Sequence, residues 1–187
     1  MNTPILGPIF IFFIIMTTNT IIHGKFLEES HIVLPWDRTE KFTRLHYFFH
    51  DILDGENPTS IKIIDPPAGS PGGGFGVTFM VDNPLTEEQD IRSKVVGRAQ
   101  GTYALASQHD LGFKMVMNFL FTEGVYEGST LCMLGRNGVL ESLREMPIVG
   151  GSGVFRFARG YALANTVWSS NTSGNAIVEY HVWVYHF

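Results

Sequence analysis

Four charges stand inside apolar or aromatic runs of this sequence: Asp51, Arg144, Arg156 and Arg159. A charge in such surroundings is paired, solvated at a mouth, or functional. Asp51 comes near the end of Leu45-His46-Tyr47-Phe48-Phe49-His50-Asp51-Ile52-Leu53. In a strand, alternation puts Leu45, Tyr47, Phe49 and Asp51 on one face and His46, Phe48 and His50 on the other. A carboxylate at the end of an aromatic stripe is either a turn residue, as the nearby Asp54-Gly55 suggests, or a group set in a pocket. In a pocket, desolvation raises its pKa and suits it to general-acid work. An arginine in a dry site is a fixed cation for a developing oxyanion.

Other motifs carry less. Gly150-Gly151-Ser152-Gly153 has neither the following Lys-Ser/Thr nor the helix of a phosphate cradle and reads as a Gly-rich loop. His46 and His50 share a strand face but lie about 13 Å apart, too far for one metal ion. They read as structural or surface histidines, and no metal is expected. No nucleophile elbow is present. The formal charge of −5 without basic clusters argues against nucleic acid as a partner. Cys132 is the only cysteine, which excludes an intramolecular disulfide. Its apolar run marks it as a small core residue.

With 187 residues, 44% hydrophobic, the chain suits one domain with a substantial core. Residues 1–24 contain no Asp, Glu, Lys or Arg and include the apolar run Ile5 to Met16. This reads as a secretory signal peptide, with an uncleaved anchor as the alternative. A cut after Gly24 places Ile22 and Gly24 at the −3 and −1 positions. Residues 25–187 then form the mature domain, with 25–43 as a loose arm. Asn171-Thr172-Ser173 is a glycosylation sequon in a turn-like stretch, which fits a secreted loop.

Abundant Gly and Phe, at 20 and 15 residues, and the lack of long amphipathic patterns point to an all-β protein. Strands are expected near 44–53, 60–64, 75–81, 93–105, 114–122, 126–134, 155–165 and 175–187. The stretch 139–146 is irregular or a short strand. Asp82-Asn83-Pro84 and Gly135-Arg136-Asn137-Gly138 read as strand breaks. Pro66 to Gly74 is a loop able to flank a pocket mouth. Gly97, Ala99, Gly101 and Tyr103 share one face of a long strand, where glycine permits coiling or close approach. About eight strands joined by short turns predict an antiparallel up-and-down barrel with a central ligand pocket.

The motifs together resemble the plant dirigent protein family. The matching pieces are Tyr47-Phe48-Phe49-His50-Asp51-Ile52-Leu53, Val96-Gly97-Arg98-Ala99-Gln100-Gly101, Met117-Asn118-Phe119, Gly128-Ser129-Thr130-Leu131, the run Arg144 to Gly153, and the run Phe155 to Ala162. They span nearly the whole mature chain. The resemblance implies a secreted, apoplastic, homotrimeric eight-stranded barrel that binds phenolic intermediates and needs no cofactor. It implies a part in plant defence and isoflavonoid or phenylpropanoid metabolism. Some members steer coupling of coniferyl alcohol radicals made by an external oxidase. Others resemble pterocarpan synthase, a lyase that removes water from an isoflavanol through a quinone methide.

Carried over by position, Asp51 matches the family's pocket aspartate, Tyr103 the first tyrosine after the Arg98-Ala99-Gln100-Gly101 segment, and Arg144 the pocket arginine. These three are the implied catalytic residues. Tyr47, Phe49, Asn137 and Arg159 complete the expected substrate pocket. Asn137 stands where lignan-forming members carry a second acid, Leu105 where they carry a second tyrosine, and the bridging cysteine pair is absent. The departures favour the branch with pterocarpan-forming members. The resemblance thus implies dehydration of a 2′-hydroxyisoflavanol to a pterocarpan, with a non-catalytic director of radical coupling as the alternative. A protein that only sequesters phenolics is a third possibility.

Overall fold

A computed structural model describes residues 39–187 of the chain. The expected signal peptide and most of the expected arm lie outside the described residues. The described residues form nine strands: β1 (Lys41–Asp51), β2 (Ser60–Ile64), β3 (Thr78–Thr86), β4 (Val95–Leu105), β5 (Gly112–Phe121), β6 (Thr130–Gly138), β7 (Arg144–Ser152), β8 (Arg159–Ser169) and β9 (Ala176–His186). All pairings are antiparallel, in the order β1-β9-β8-β7-β6-β5-β4-β3-β2. A further pairing of β1 with β3 closes the sheet through Phe48↔Thr86 and Phe49↔Leu85.

The nine strands make eight staves. β1 meets one end of β3, and β2 meets the other end through Ser60↔Val81 to Ile64↔Thr78. One stave is thus broken between Asp51 and Ser60, where the Ile52 carbonyl accepts from the amides of Thr59 (2.8 Å) and Ser60 (3.0 Å). Closure removes the sheet edges that an open sheet of this length would expose.

The barrel is half filled. Toward the end that holds Lys41 and His186, Tyr47, Phe119, Phe121, Phe155 and Tyr180 pack edge-on, stacked or tilted, with centroids 5.4 to 6.3 Å apart. Gly101 lets β5 come close on one side, for a Cβ there would overlap the Val116 carbonyl oxygen. The other end of the barrel stays open.

Several boundaries differ from the sequence expectation. β1 begins at Lys41, inside the stretch read as a loose arm. Asp82, Asn83 and Pro84 continue β3 instead of ending it. Pro84 is accommodated because the neighbouring stave is interrupted between β1 and β2, so the wall there has no continuous ladder to lose. Gly135 to Gly138 belong to β6, where pairing with β5 holds the backbone extended, and Gly150 to Ser152 belong to β7, where pairing with β6 does the same. β8 starts at Arg159, later than expected, because Gly153–Phe155 forms a 3₁₀ turn and Phe157 takes a positive φ of 63°. Cys132 is no core residue. Leu131 and Met133 take the inward positions, and Cys132 faces outward, half-buried, with Sγ 3.1 Å from Asn118 Oδ1.

Candidate active site

The open half of the barrel is a cavity of about 440 Å³. It lies where β1, β4 and β6 end and β5, β7 and β9 begin. Phe49, Phe79, Phe113, Met115 and Val178 give it an apolar wall, and Asp51, Tyr103, Asn137, Arg144 and Tyr180 supply polar groups. A few convergent polar groups in an apolar concavity are the usual mark of a small-molecule site.

Asp51 stands at the break in the stave, and the break organises it. Asn83 Nδ2 donates to Asp51 Oδ1 at 3.1 Å, Ser60 Oγ donates to the same oxygen, and Tyr103 Oη donates to Oδ2 at 3.0 Å. Asn83 is itself oriented by the Thr59 hydroxyl, which donates to its Oδ1. Burial raises the Asp51 pKa above the usual carboxylate value, while the bonds from Ser60, Asn83 and Tyr103 pull it down. Burial, and then the Asp51 charge, push the Tyr103 phenol well above its ordinary range. Tyr103 is held between Phe79, stacked at 4.9 Å, and Phe113, edge-on at 5.5 Å.

Ser60 has a choice of acceptor. Its Oγ reaches Asp51 Oδ1 and also lies 3.1 Å from Asn83 Oδ1. A hydroxyl carries one proton and two lone pairs. With Asp51 ionised, Ser60 donates to it. With Asp51 protonated, Ser60 can accept from the carboxyl and turn its own proton to Asn83. The network is satisfied in both protonation states.

Arg144 enters from the start of β7 and is 3% exposed. Its Nη1 donates to the Glu141 carbonyl at 3.2 Å, and its Nε has no partner among the described residues. Burial lowers its pKa, opposed by Tyr180 and Glu141, but a guanidinium stays charged at any ordinary pH. No ion pair joins Arg144 to Asp51 among the described residues, so a structural Asp–Arg bridge across the barrel is not what holds either group. Ala164 pairs with both Arg144 and Tyr180, so a small side chain separates these two large ones. Asn137 Nδ2 approaches Met115 Sδ at 3.7 Å, while its Oδ1 has no partner among the described residues. Two orphaned buried polar atoms on one cavity wall are what a polar ligand would satisfy.

Two expected pocket residues lie elsewhere. Tyr47 is on the inward face but too deep. It is packed against Phe119 and Tyr180 in the filled half and is 1% exposed. Arg159 is on the outer surface, paired with Glu40 (Nη2 to Oε2, 3.0 Å) and set over the Tyr185 ring at 5.3 Å. Its strand starts one residue outside the inward phase set by Ala162 and Ala164. Phe49 and Asn137 do line the cavity with Asp51, Tyr103 and Arg144. The sequence reading missed Tyr180, Ser60 and Asn83. Tyr180 was visible as an inward position of an alternating strand. Asn83 was hidden by a turn-like Asp-Asn-Pro context.

The same architecture recurs in known proteins. A family model described as Dirigent-like protein matches residues 42–185. Dirigent protein 21 of Arabidopsis thaliana is 46% identical over 178 residues, 94% of each chain. The chain belongs to the dirigent family. Pterocarpan synthase 1 of Glycine max is 47% identical over 152 residues, which cover 80% of this chain and 82% of that one. The solved pterocarpan synthase dirigent protein GePTS1 superposes with a TM-score of 0.76 at 45% identity, over 80% of this chain and 87% of its own. This dirigent barrel therefore carries its polar constellation in a cavity whose overall frame is shared with a pterocarpan synthase.

Proposed function

We propose that this dirigent protein is a lyase of the pterocarpan synthase type, which dehydrates a 2′-hydroxyisoflavanol and closes the ether ring in one chiral cavity. The carrying observation is that a hydrogen-bonded, half-buried Asp51 and an Arg144 Nε without a partner among the described residues stand on the walls of one aromatic cavity. The 47% identity to a pterocarpan synthase supports the same reading.

In the first step Asp51 gives its proton to the departing hydroxyl, the C–O bond breaks, and water leaves. The conjugated phenol releases its proton to solvent, which leaves a neutral quinone methide. Arg144 stabilises negative charge on that phenol oxygen as the proton departs. In the second step the 2′-hydroxyl oxygen bonds to the carbon that lost water. Its proton passes to the Asp51 carboxylate, and the conjugated oxygen regains a proton from solvent. The net change is loss of one water, with Asp51 restored. Tyr103 holds Asp51 Oδ2, and the Ser60 rotor lets the carboxyl change protonation without stranding a partner. Closure is intramolecular, so the cavity has only to present one face of the intermediate.

The protein acts as a secreted homotrimer in the apoplast, with Asn171 glycosylated in its exposed β8–β9 turn. An outer band of Ile61, Met80, Val116 and Leu134, each 43 to 53% exposed, supports self-association. These residues follow one another through the β2–β6 register, with Thr102 between Met80 and Val116.

The deciding assay gives purified protein racemic 2′-hydroxyisoflavanol without oxidant and follows both enantiomers by chiral chromatography. Selective loss of one enantiomer with a pterocarpan appearing is expected. No turnover overturns the lyase reading. Enantiomeric excess from coniferyl alcohol with a laccase would then mark a coupling director.

A further inference from the structure

The outer wall carries a side-chain cluster for which the cavity chemistry has no use. His46 on β1 and His181 on β9 are direct cross-strand partners. Glu179, two residues before His181, faces the same way. His46 Nε2 lies 2.8 Å from Glu179 Oε1, and His181 Nε2 lies 3.5 Å from the same oxygen. The imidazoles stack with centroids 4.6 Å apart and planes 27° from parallel. The three ligand atoms lie within 4.8 Å of one another.

We propose that His46, Glu179 and His181 bind a divalent transition-metal ion of the zinc class on the outside of the barrel. Two neutral imidazole nitrogens and one carboxylate oxygen are a donor set zinc takes, whereas magnesium and calcium prefer oxygen alone. A tetrahedral ion about 2.0–2.1 Å from each donor sets the donors roughly 3.3 Å apart. The 2.8 and 3.5 Å edges bracket that spacing. The nitrogen–nitrogen edge closes from no more than 4.8 Å by turning the rings.

The scaffold favours binding. All three ligands stand on two paired strands of a closed barrel, so their spacing is set before the ion arrives. Phe48 lies edge-on to His46 at 5.1 Å and Trp183 lies 5.9 Å from His181, giving the cluster apolar flanks. Arg44, on the same face, holds its guanidinium over Phe42 at 5.7 Å. The cluster keeps solvent access, with His46 and His181 side chains 43% and 46% exposed, so a fourth position is open to water. The second imidazole comes through the β1–β9 register, which is why the spacing of His46 and His50 along one strand gave no hint of it.

The test is calorimetric titration of untagged, chelator-treated protein with zinc chloride at pH 7.5. One saturable site per chain is expected. His46→Ala and His181→Ala each weaken it at least tenfold, while His109→Ala, on an exposed loop, leaves it unchanged. A hundredfold zinc excess over Kd raises the melting temperature of the wild type by about 5–10 °C and leaves the double variant unmoved. Absence of saturable binding, or binding that survives His46→Ala with His181→Ala in a folded protein, overturns the site.

Discussion

At the scale of single residues, the proposed chemistry rests on a carboxyl pulled two ways. Burial raises the Asp51 pKa and three donors lower it, with burial the larger effect. Folding therefore favours the protonated form. The stability this lends is present in full below the ordinary carboxylate range, about 3.9. It is lost as pH rises through the raised folded value. Asp51→Asn removes that loss. The variant is expected to melt at or above the wild type at pH 7, with the gap closing near pH 3, in thermal scans at both values. Its turnover should fall by about 10²- to 10⁴-fold. Ser60→Ala deletes a donor to the ionised carboxylate and so raises the Asp51 pKa further. The alkaline limb of the kcat profile, where the acid form is lost, should move to higher pH. An unchanged limb with reduced stability would leave Ser60 a purely structural role.

Single elements show how the barrel accommodates irregular sequence. The broken β1–β2 stave would weaken the wall, yet Thr59, Ser60 and Asn83 fill the gap with hydrogen bonds to one another and to Asp51. The defect in the ladder is thus the same feature that positions Asp51, the proposed acid. The β7–β8 connection carries a different kind of strain. Phe157 has a φ of 63° and is 71% exposed, so it bears the left-handed penalty with little packing in return. Such a conformation costs a non-glycine residue about 1–3 kcal/mol. Phe157→Gly should stabilise the fold by about 1 kcal/mol, once the wider unfolded ensemble of glycine is set against the relieved strain. Chemical denaturation with an unchanged m-value would show it. A lower midpoint would mean that the exposed ring makes contacts worth more than the strain.

The whole molecule divides its barrel between stability and function. One half is an aromatic core; the other holds the cavity. The outer wall is divided as well, with an apolar band across β2–β6 and the histidine cluster across β1 and β9. If the proposed trimer forms through this band, Leu134→Glu should convert it to monomers in light scattering after size exclusion. Melting should follow with a concentration dependence in the wild type that the variant lacks. A variant that remains trimeric would place the interface elsewhere.

Alternation and composition alone determined an all-β chain, the shared face of Tyr47, Phe49 and Asp51, that of Ala99 and Tyr103, and the freedom of the glycines on the latter face to permit coiling or close approach. These follow from period-two geometry and the missing Cβ, both local properties. The strand ends at Asn83-Pro84 and Gly135-Gly138 were not legible, because turn-forming residues stay extended when neighbouring strands hold them. Nor was the depth of a side chain along the barrel axis. Tyr47 and Asp51 share a face, yet one is core and the other lines the cavity. Arg159 showed the same limit, since only the phase of β8 decides that it points outward. Register between strands far apart in sequence brought Tyr103, Ser60 and Asn83 to Asp51, Tyr180 beside Arg144, and His181 opposite His46. Closure of the barrel sets those distances, and no spacing along a single strand encodes them.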